Sequence, residues 1–493
     1  MASVRSTRIA RRGAVVVGAL GLVIAMASTA FANVPLTIVS TDPYTNTDAF
    51  HQVELEPDTY SFGSTIVSVH QTSRFTNGGS DNTGWETSQD NGATWTHGFL
   101  PDTTQYSTPP GPWARISDPS VGYDAKHSVW IIVGLAIDAS VTGKAVLASR
   151  SLDGGLTWQN PVTVSQGGGS SFYDKEWIAC DNTAASPNYG NCYVEWDDAG
   201  LGNILKMSRS TNGGTSWTAS TVPGASVIGG QPLAQANGTV VVPISNAFGS
   251  SLESFVSTDG GQTYTGPFTI ASITVHGASG MRDGAGLASA EVDGGGTIYV
   301  AWADCRFRSG CSFDDIVYST STNGTTWSAV KRLPVGSTSG SQEVFLPGMG
   351  VDHSTSGATA HLGVTFYFFP DGNCSSSTCK LGAGFISSTN GGASWGSPVK
   401  MFGGISEKGL ANAGGYFVGD YISTSFGSNG KAYPVIAAAT GSSCTLGQIT
   451  SCHEFMVAPT NGLAVIGGSR PAITGPVRFF GSSRVHAGFR TAF

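Results

Sequence analysis

Short apolar runs, broken by glycine, asparagine and serine, set the rhythm of this chain. SVWIIVGLAI (128–137), GTVVVPIS (238–245), GTIYVAWAD (296–304) and LGVTFYFF (362–369) are strand-length and bounded by turn residues. Almost no segment carries the apolar period of a helix. The pattern predicts an all-β fold of many short strands.

A second pattern sits in the polar stretches. Ser-x-Asp/Asn-x-Gly-x-Thr/Ser-Trp occurs as SQDNGATW (88–95), SLDGGLTW (151–158), STNGGTSW (210–217), STDGGQTY (257–264), STNGTTW (321–327, one residue short) and STNGGASW (388–395). The acidic or amide residue falls at 90, 153, 212, 259, 323 and 390, a spacing of 47 to 67 residues. This is a structural repeat with loops of variable length. Asp or Asn can bond the amides of its own turn, Gly takes the positive-φ position, and the aromatic packs between neighbouring sheets.

Each unit runs in the same order: an opening strand, a turn, a more apolar strand, a variable loop, a third strand, then the Asp/Gly turn. Units open near 51, 115, 174, 229, 282, 342 and 416, and the last has no Asp/Gly turn. Four-stranded units of this size cannot bury both faces alone. The expectation is therefore a β-propeller with seven blades by repeat count, and six as the alternative if the last repeat shares strands with NVPLTIVS. In such a ring the Asp/Gly turns lie on one face. The opposite face collects the starts of the innermost strands and the loops after the second strands.

The first 32 residues read as a signal peptide, with Arg5, Arg8, Arg11 and Arg12, an apolar run, and Ala30-Phe31-Ala32 as the cleavage site. Removing them leaves 25 minus 4, or 21, basic residues against 33 acidic ones, a net charge of about −12. That balance argues against nucleic acid and anionic membranes as partners. Residues 33–460 form the expected propeller and 461–493 a closing strand or basic tail. The eight cysteines fall into close pairs, Cys180/Cys192, Cys305/Cys311, Cys374/Cys379 and Cys444/Cys452, which favour local disulfides over metal binding. A secreted monomer without cofactor or metal is expected.

The polar residues at the funnel positions are numerous for a chain with 12 % charged residues. They include His51, Glu56, Arg74, Asp81, Arg115, Asp118, Asp174, Lys175, Glu176, Arg282, Arg306, Asp420 and Tyr421. Paired carboxylates with arginines around one axis suit glycosidic cleavage. A structural role, as turn caps or ion pairs, is the other reading for each of them.

The recurring turn resembles the Asp box of the sialidase superfamily, over most of 51–458. What the resemblance implies can be followed residue by residue. RFTNGGSDNTGW places Arg74 at the end of the second strand and Asp81, as acid/base, before the first Asp box. DGGGTIYVAWADCR places Arg306 where a substrate-carboxylate arginine is expected. GDYISTSFGSNG places Tyr421, as nucleophile, eight residues before Asn429-Gly430. The tyrosine needs a carboxylate to accept its proton; Glu176 and Asp420 are both candidates, and Glu176 is carried forward. The departures are equally specific. The opening Arg-Ile-Pro is replaced by HQVELEPD, and the sixth-unit arginine is missing; Arg115 or Arg282 is then the expected substitute, with Asp118 as a further substrate contact.

Three readings follow: a secreted sialidase-like glycoside hydrolase acting on an extracellular glycan, acidic or not; a non-catalytic glycan- or protein-binding propeller; or a polysaccharide lyase with Tyr421, His51 or Lys175 as base.

Overall fold

The computed structural model describes residues 34–467 and 479–481. The expected signal peptide, and the C-terminal segment beyond 467 apart from 479–481, lie outside the described residues. Apart from four three-residue 3-10 turns, the described secondary structure is β.

The chain runs as successive antiparallel meanders. Glu54–Phe62, Thr65–Arg74, Ser80–Ser88 and Thr96–Phe99 pair in order, as do Arg115–Asp124, Val129–Ile137, Gly143–Ser151 and Val162–Gln166. The pattern repeats from Tyr173–Cys180 to Thr218–Ala219, around Val240–Asn246, from Ala288–Val292 to Lys331–Arg332, and from Glu343–Val351 to Val399–Ser406. Near the C-terminus the chain ends meet. Glu454–Pro459 pairs with Ile436–Ala439 on one side and with Leu36–Ile38 on the other, and Phe479–Gly481 lies parallel to Leu36–Ile38.

Burial explains why the apolar runs form these strands. All nine positions of Val129–Ile137 are buried, so the strand needs cover on both faces. Ile131 and Val133 pack with Ile178, Val194 and Trp196 of the following sheet, while Trp130 and Ile132 pack with Val67 and Val69 of the preceding one.

The Asp/Gly turns hold the expected local bonds. In 88–95, Asp90 accepts hydrogen bonds from Ser88 Oγ (2.8 Å), Thr94 N (2.8 Å) and Thr94 Oγ1 (2.6 Å), and Gly92 stands at φ 76°. Asp153 and Asp259 repeat this, and Asn212, Asn323 and Asn390 substitute an amide. In two of the turns the aromatic meets the meander before it: Trp158 lies 6.4 Å from Trp85 and Trp395 5.6 Å from Tyr318. The turn at 88–95 packs against the end of the chain, with Trp95 in one core with Tyr433 and Leu463.

All four expected disulfides are present. Cys180–Cys192 ties two directly paired strand residues, and the other three staple loops between second and third strands.

One device in the opening strands positions the chemistry. Glu56, Asp118, Lys175 and Leu346 each have positive φ (58°, 48°, 56° and 51°), and each sits where its strand's register shifts. The next residue is Pro57, Pro119, Glu176 or Pro347. Proline cannot donate to a ladder, so a bulge is where an inner strand tolerates it. The bulge turns the preceding side chain out of the alternation of the strand.

Candidate functional site

Three of those bulge residues meet. Lys175 Nζ lies 2.5 Å from Asp420 Oδ2 and 3.6 Å from both Glu56 Oε1 and Asp118 Oδ1. Arg282 grips the other side of Asp420, with Nε 2.9 Å from Oδ1 and a second bond from Nη2 to Oδ2. Gln71 links the remaining cation, accepting from Arg74 Nη1 at 2.5 Å and donating to Glu56. Asp420 is delivered by a close chain crossing: its amide donates to Glu56 Oε1 at 3.1 Å, and Gly419 stands at φ 134° with room for no side chain, since a Cβ would lie 2.7 Å from Glu56 Cα.

The network sets the charge states. Burial works to discharge Lys175, but Asp118, Asp420 and Glu56 overcome it and hold the ammonium well above its usual range. Burial also opposes ionisation of Asp420, and Lys175 and Arg282 win, holding that carboxyl well below the carboxylate range. Glu56 is pushed up to about 7 by burial against the pull of Lys175. Asp174, hydrogen-bonded to Asp118, is raised to about 7 by burial and by the charge of Asp118. These groups form a largely self-neutralised core with little exposure to water.

Tyr421 and Glu176 flank it. Together with Lys175, Trp177, Gly230 and Gln231 they line one small cavity. The Tyr421 hydroxyl donates to Pro119 O at 3.1 Å, and its ring packs edge-on against Trp177 at 4.9 Å. Neither carboxyl oxygen of Glu176 has a hydrogen-bond partner among the described residues, and the side chain is buried. Burial and the charge of Asp118 raise its pKa well above the usual range. Burial and the acids Glu56, Asp118 and Glu176 likewise raise Tyr421.

Of the residues proposed from sequence, the structure thus brings together Tyr421, Glu176, Arg74, Asp118 and Arg282. It places Asp81 and Arg115 in a second group. Asp81 is buried and accepts from Asn46 Nδ2 at 3.0 Å, its other oxygen has no partner, and burial with the charge of Asp42 pushes it up to about 8. His51 and Asp42 stand beside it; Arg115 senses Asp48, Tyr106 and Asp81 while bonding Asn77 Oδ1 and Gly78 O. No hydrogen bond or ion pair among the described residues joins Asp81 to Tyr421. Arg306 stands apart from both groups, paired with Asp304 (2.8 and 2.7 Å) two residues away. No group of three or more His, Cys, Asp or Glu side chains among the described residues is arranged to hold a metal ion.

Sequence reasoning singled out Lys175 and Glu56 as candidates but did not identify them as the centre of this ion cluster. The signal was available: LEPD, SDPS, DKEW and FLPG occupy equivalent positions in four opening strands, and a charged residue occupies the bulge position in three of them.

The chain matches no protein-family model and no curated protein. It is similar to several solved structures. One is a Hadza microbial sialidase, at 14% identity and a TM-score of 0.45, covering 66% of this chain and 64% of that one. Another is a protein of unknown function from Dyadobacter fermentans, at 16% identity and a TM-score of 0.46, covering 73% and 100%. A third is the Trypanosoma rangeli sialidase, at 14% identity and a TM-score of 0.45, covering 69% and 56%. Sialidases recur among these likenesses. The match spans less than two thirds of the first and third of these chains.

Proposed function

We propose that this protein is a secreted, seven-bladed Asp-box β-propeller and a sialidase-like glycoside hydrolase acting on extracellular glycans. Ring closure is supported by the pairing of Leu36–Ile38 with Glu454–Pro459 and by Trp95 packing with Tyr433. The catalytic reading is carried by one observation: Tyr421 and Glu176, from distant parts of the chain, line one cavity beside Lys175 at the bulged ends of the opening strands. In this reading Tyr421 Oη attacks the anomeric carbon as its proton passes to the carboxylate form of Glu176, which burial makes a strong proton acceptor, and Asp81, held as a neutral acid, protonates the departing oxygen.

A second reading, a propeller that binds a glycan without cleaving it, is favoured by a specific feature. The Tyr421 hydroxyl is committed to Pro119, and Lys175 and Arg282 are already paired with carboxylates. Of the two guanidiniums in the cluster, Arg282 is engaged by Asp420, and Arg74 is buried and bonded to Gln71.

The deciding experiment is release of sugar from fluorogenic sialosides, neutral glycosides and natural glycans, with Tyr421→Phe and Glu176→Gln alongside. Turnover that falls at least about 100-fold in both variants supports the hydrolase. Absence of turnover with measurable glycan binding supports the second reading.

A further inference from the structure

A second site lies at the other end of the opening strands. A cavity of about 880 Å³ is lined there by Asp58–Gly63, Val121, Trp177–Cys180, Leu233, Ser289–Asp293, Met349 and Phe426, with the turns around Ala236, His353 and Asn429 at its mouth. That volume is in the range of ligand pockets. Trp177, packed edge-on against Tyr421, divides it from the ion network.

Its chemistry is one-sided. Four carboxyl groups line the cavity, those of Asp58, Glu291, Asp293 and Asp352, and no lysine or arginine does so among the described residues. Three of the four are occupied. Asp58 accepts from Thr59 N and Val121 N, both at 2.8 Å. Asp293 accepts from Gly295 N, Thr297 N and Gly357 N, and Asp352 from Ser354 N and Oγ. Glu291 differs: its ion-pair partner is His353, at 3.6 Å, whose imidazole is itself half exposed. Tyr60 packs against His353 at 6.1 Å, so an aromatic face stands beside the carboxyl. An acidic, aromatic-walled channel with low-dielectric sides concentrates cations, and ring faces add to their binding.

We propose that this cavity binds a small organic amine, carried on one or two rings or on a short chain, with Glu291 as its counter-charge and Tyr60 and Trp177 as its aromatic walls. The amine displaces nothing structural, because Glu291, unlike the other three acids, holds no turn together. Burial pushes the Glu291 carboxyl up to about 8, and an ammonium beside it would favour its ionised form. The inference does not depend on the hydrolase reading, since none of its named contacts is assigned to catalysis there.

The test is calorimetric titration at pH 7 with chitobiose bearing two free amines, with spermidine, and with N,N′-diacetylchitobiose. Both amines bind at sub-millimolar concentration and the acetylated sugar does not. Glu291→Gln weakens amine binding at least tenfold, and Ala236→Trp, which fills the mouth, abolishes it; unchanged near-ultraviolet circular dichroism shows that both variants are folded. Absence of amine binding, equal binding of the acetylated sugar, or amine binding unchanged in either folded variant overturns the proposal.

Discussion

Single residues in this protein act either locally or as members of a buried network, and substitution separates the two. The Asp/Gly turns are local. Burial raises the carboxyl of Asp259, but hydrogen bonds from Thr263, Ser257 and Gln262 outweigh it and hold the group at about 2. Because Asn stands at the same place in three sister turns, Asp259→Asn should change stability by no more than about 0.5 kcal/mol, whereas Asp259→Ala should cost about 1 kcal/mol. Urea denaturation midpoints check this; an Asn variant as costly as Ala would mean that charge, not hydrogen bonding, holds the turn. Lys175 is the opposite case. Replacing it with Met strands Asp118 and Glu56 without their main counter-charge and should cost about 3–5 kcal/mol at pH 7. Arg282→Met should cost only about 1 kcal/mol, because its side chain is 34% exposed and Lys175 still neutralises Asp420. The Lys175→Met deficit should shrink on acidification, since without the ammonium the carboxyls titrate higher and their protonation relieves it. Equal costs for the two variants at pH 7 would remove Lys175 from the centre of the network.

At the scale of elements, legibility follows the range of the interactions. The turns were readable because six copies repeat one set of short-range bonds, and the disulfides because each closes a short loop between neighbouring strands. Cys180–Cys192, with a sequence separation of 12, should contribute about 3 kcal/mol by constraining the unfolded chain. The double Cys→Ala variant, compared by denaturation under oxidising conditions, tests that value, and a loss near zero would refute it. The site was less legible. Arg74, Asp118, Glu176, Arg282 and Tyr421 could be picked out as residue types at strand ends, but pairing between them was not encoded nearby. Lys175 reaches Asp420 across 245 positions of sequence, and only the bulge at Lys175 aims it there. Asp81 shows the same limit from the other side. Its neighbours Asp42, Asn46 and His51 come from the segment before the first meander, which carries no repeat signal.

At the scale of the whole molecule, the buried carboxyls bear on the pH dependence of stability. Burial leads in raising Glu56 and Asp174 to about 7, and Asp81, Asp197 and Glu291 to about 8, while in the unfolded chain such groups titrate near 4. Between those limits the folded state binds more protons than the unfolded state, so stability falls as pH rises from about 4 to about 8. Asp118, Asp420 and the turn aspartates have the opposite sign. Hydrogen bonds and cations hold their folded values low, against burial, so their contribution is complete above about 4 and is lost as pH falls further. An acidic surface, with a net charge of −8 over the whole chain, repels itself more as pH rises and so reinforces the first trend. The two sets therefore cross on the acid side of neutrality. The melting temperature, followed calorimetrically from pH 3 to 9 at fixed ionic strength, should peak near pH 4–5 and decline steadily toward pH 8. A flat profile, or one rising from pH 5 to 8, would mean that these carboxyls are ionised and solvated in the folded protein. That outcome would remove the neutral acids on which both Asp81 as proton donor and the closed packing around Lys175 depend.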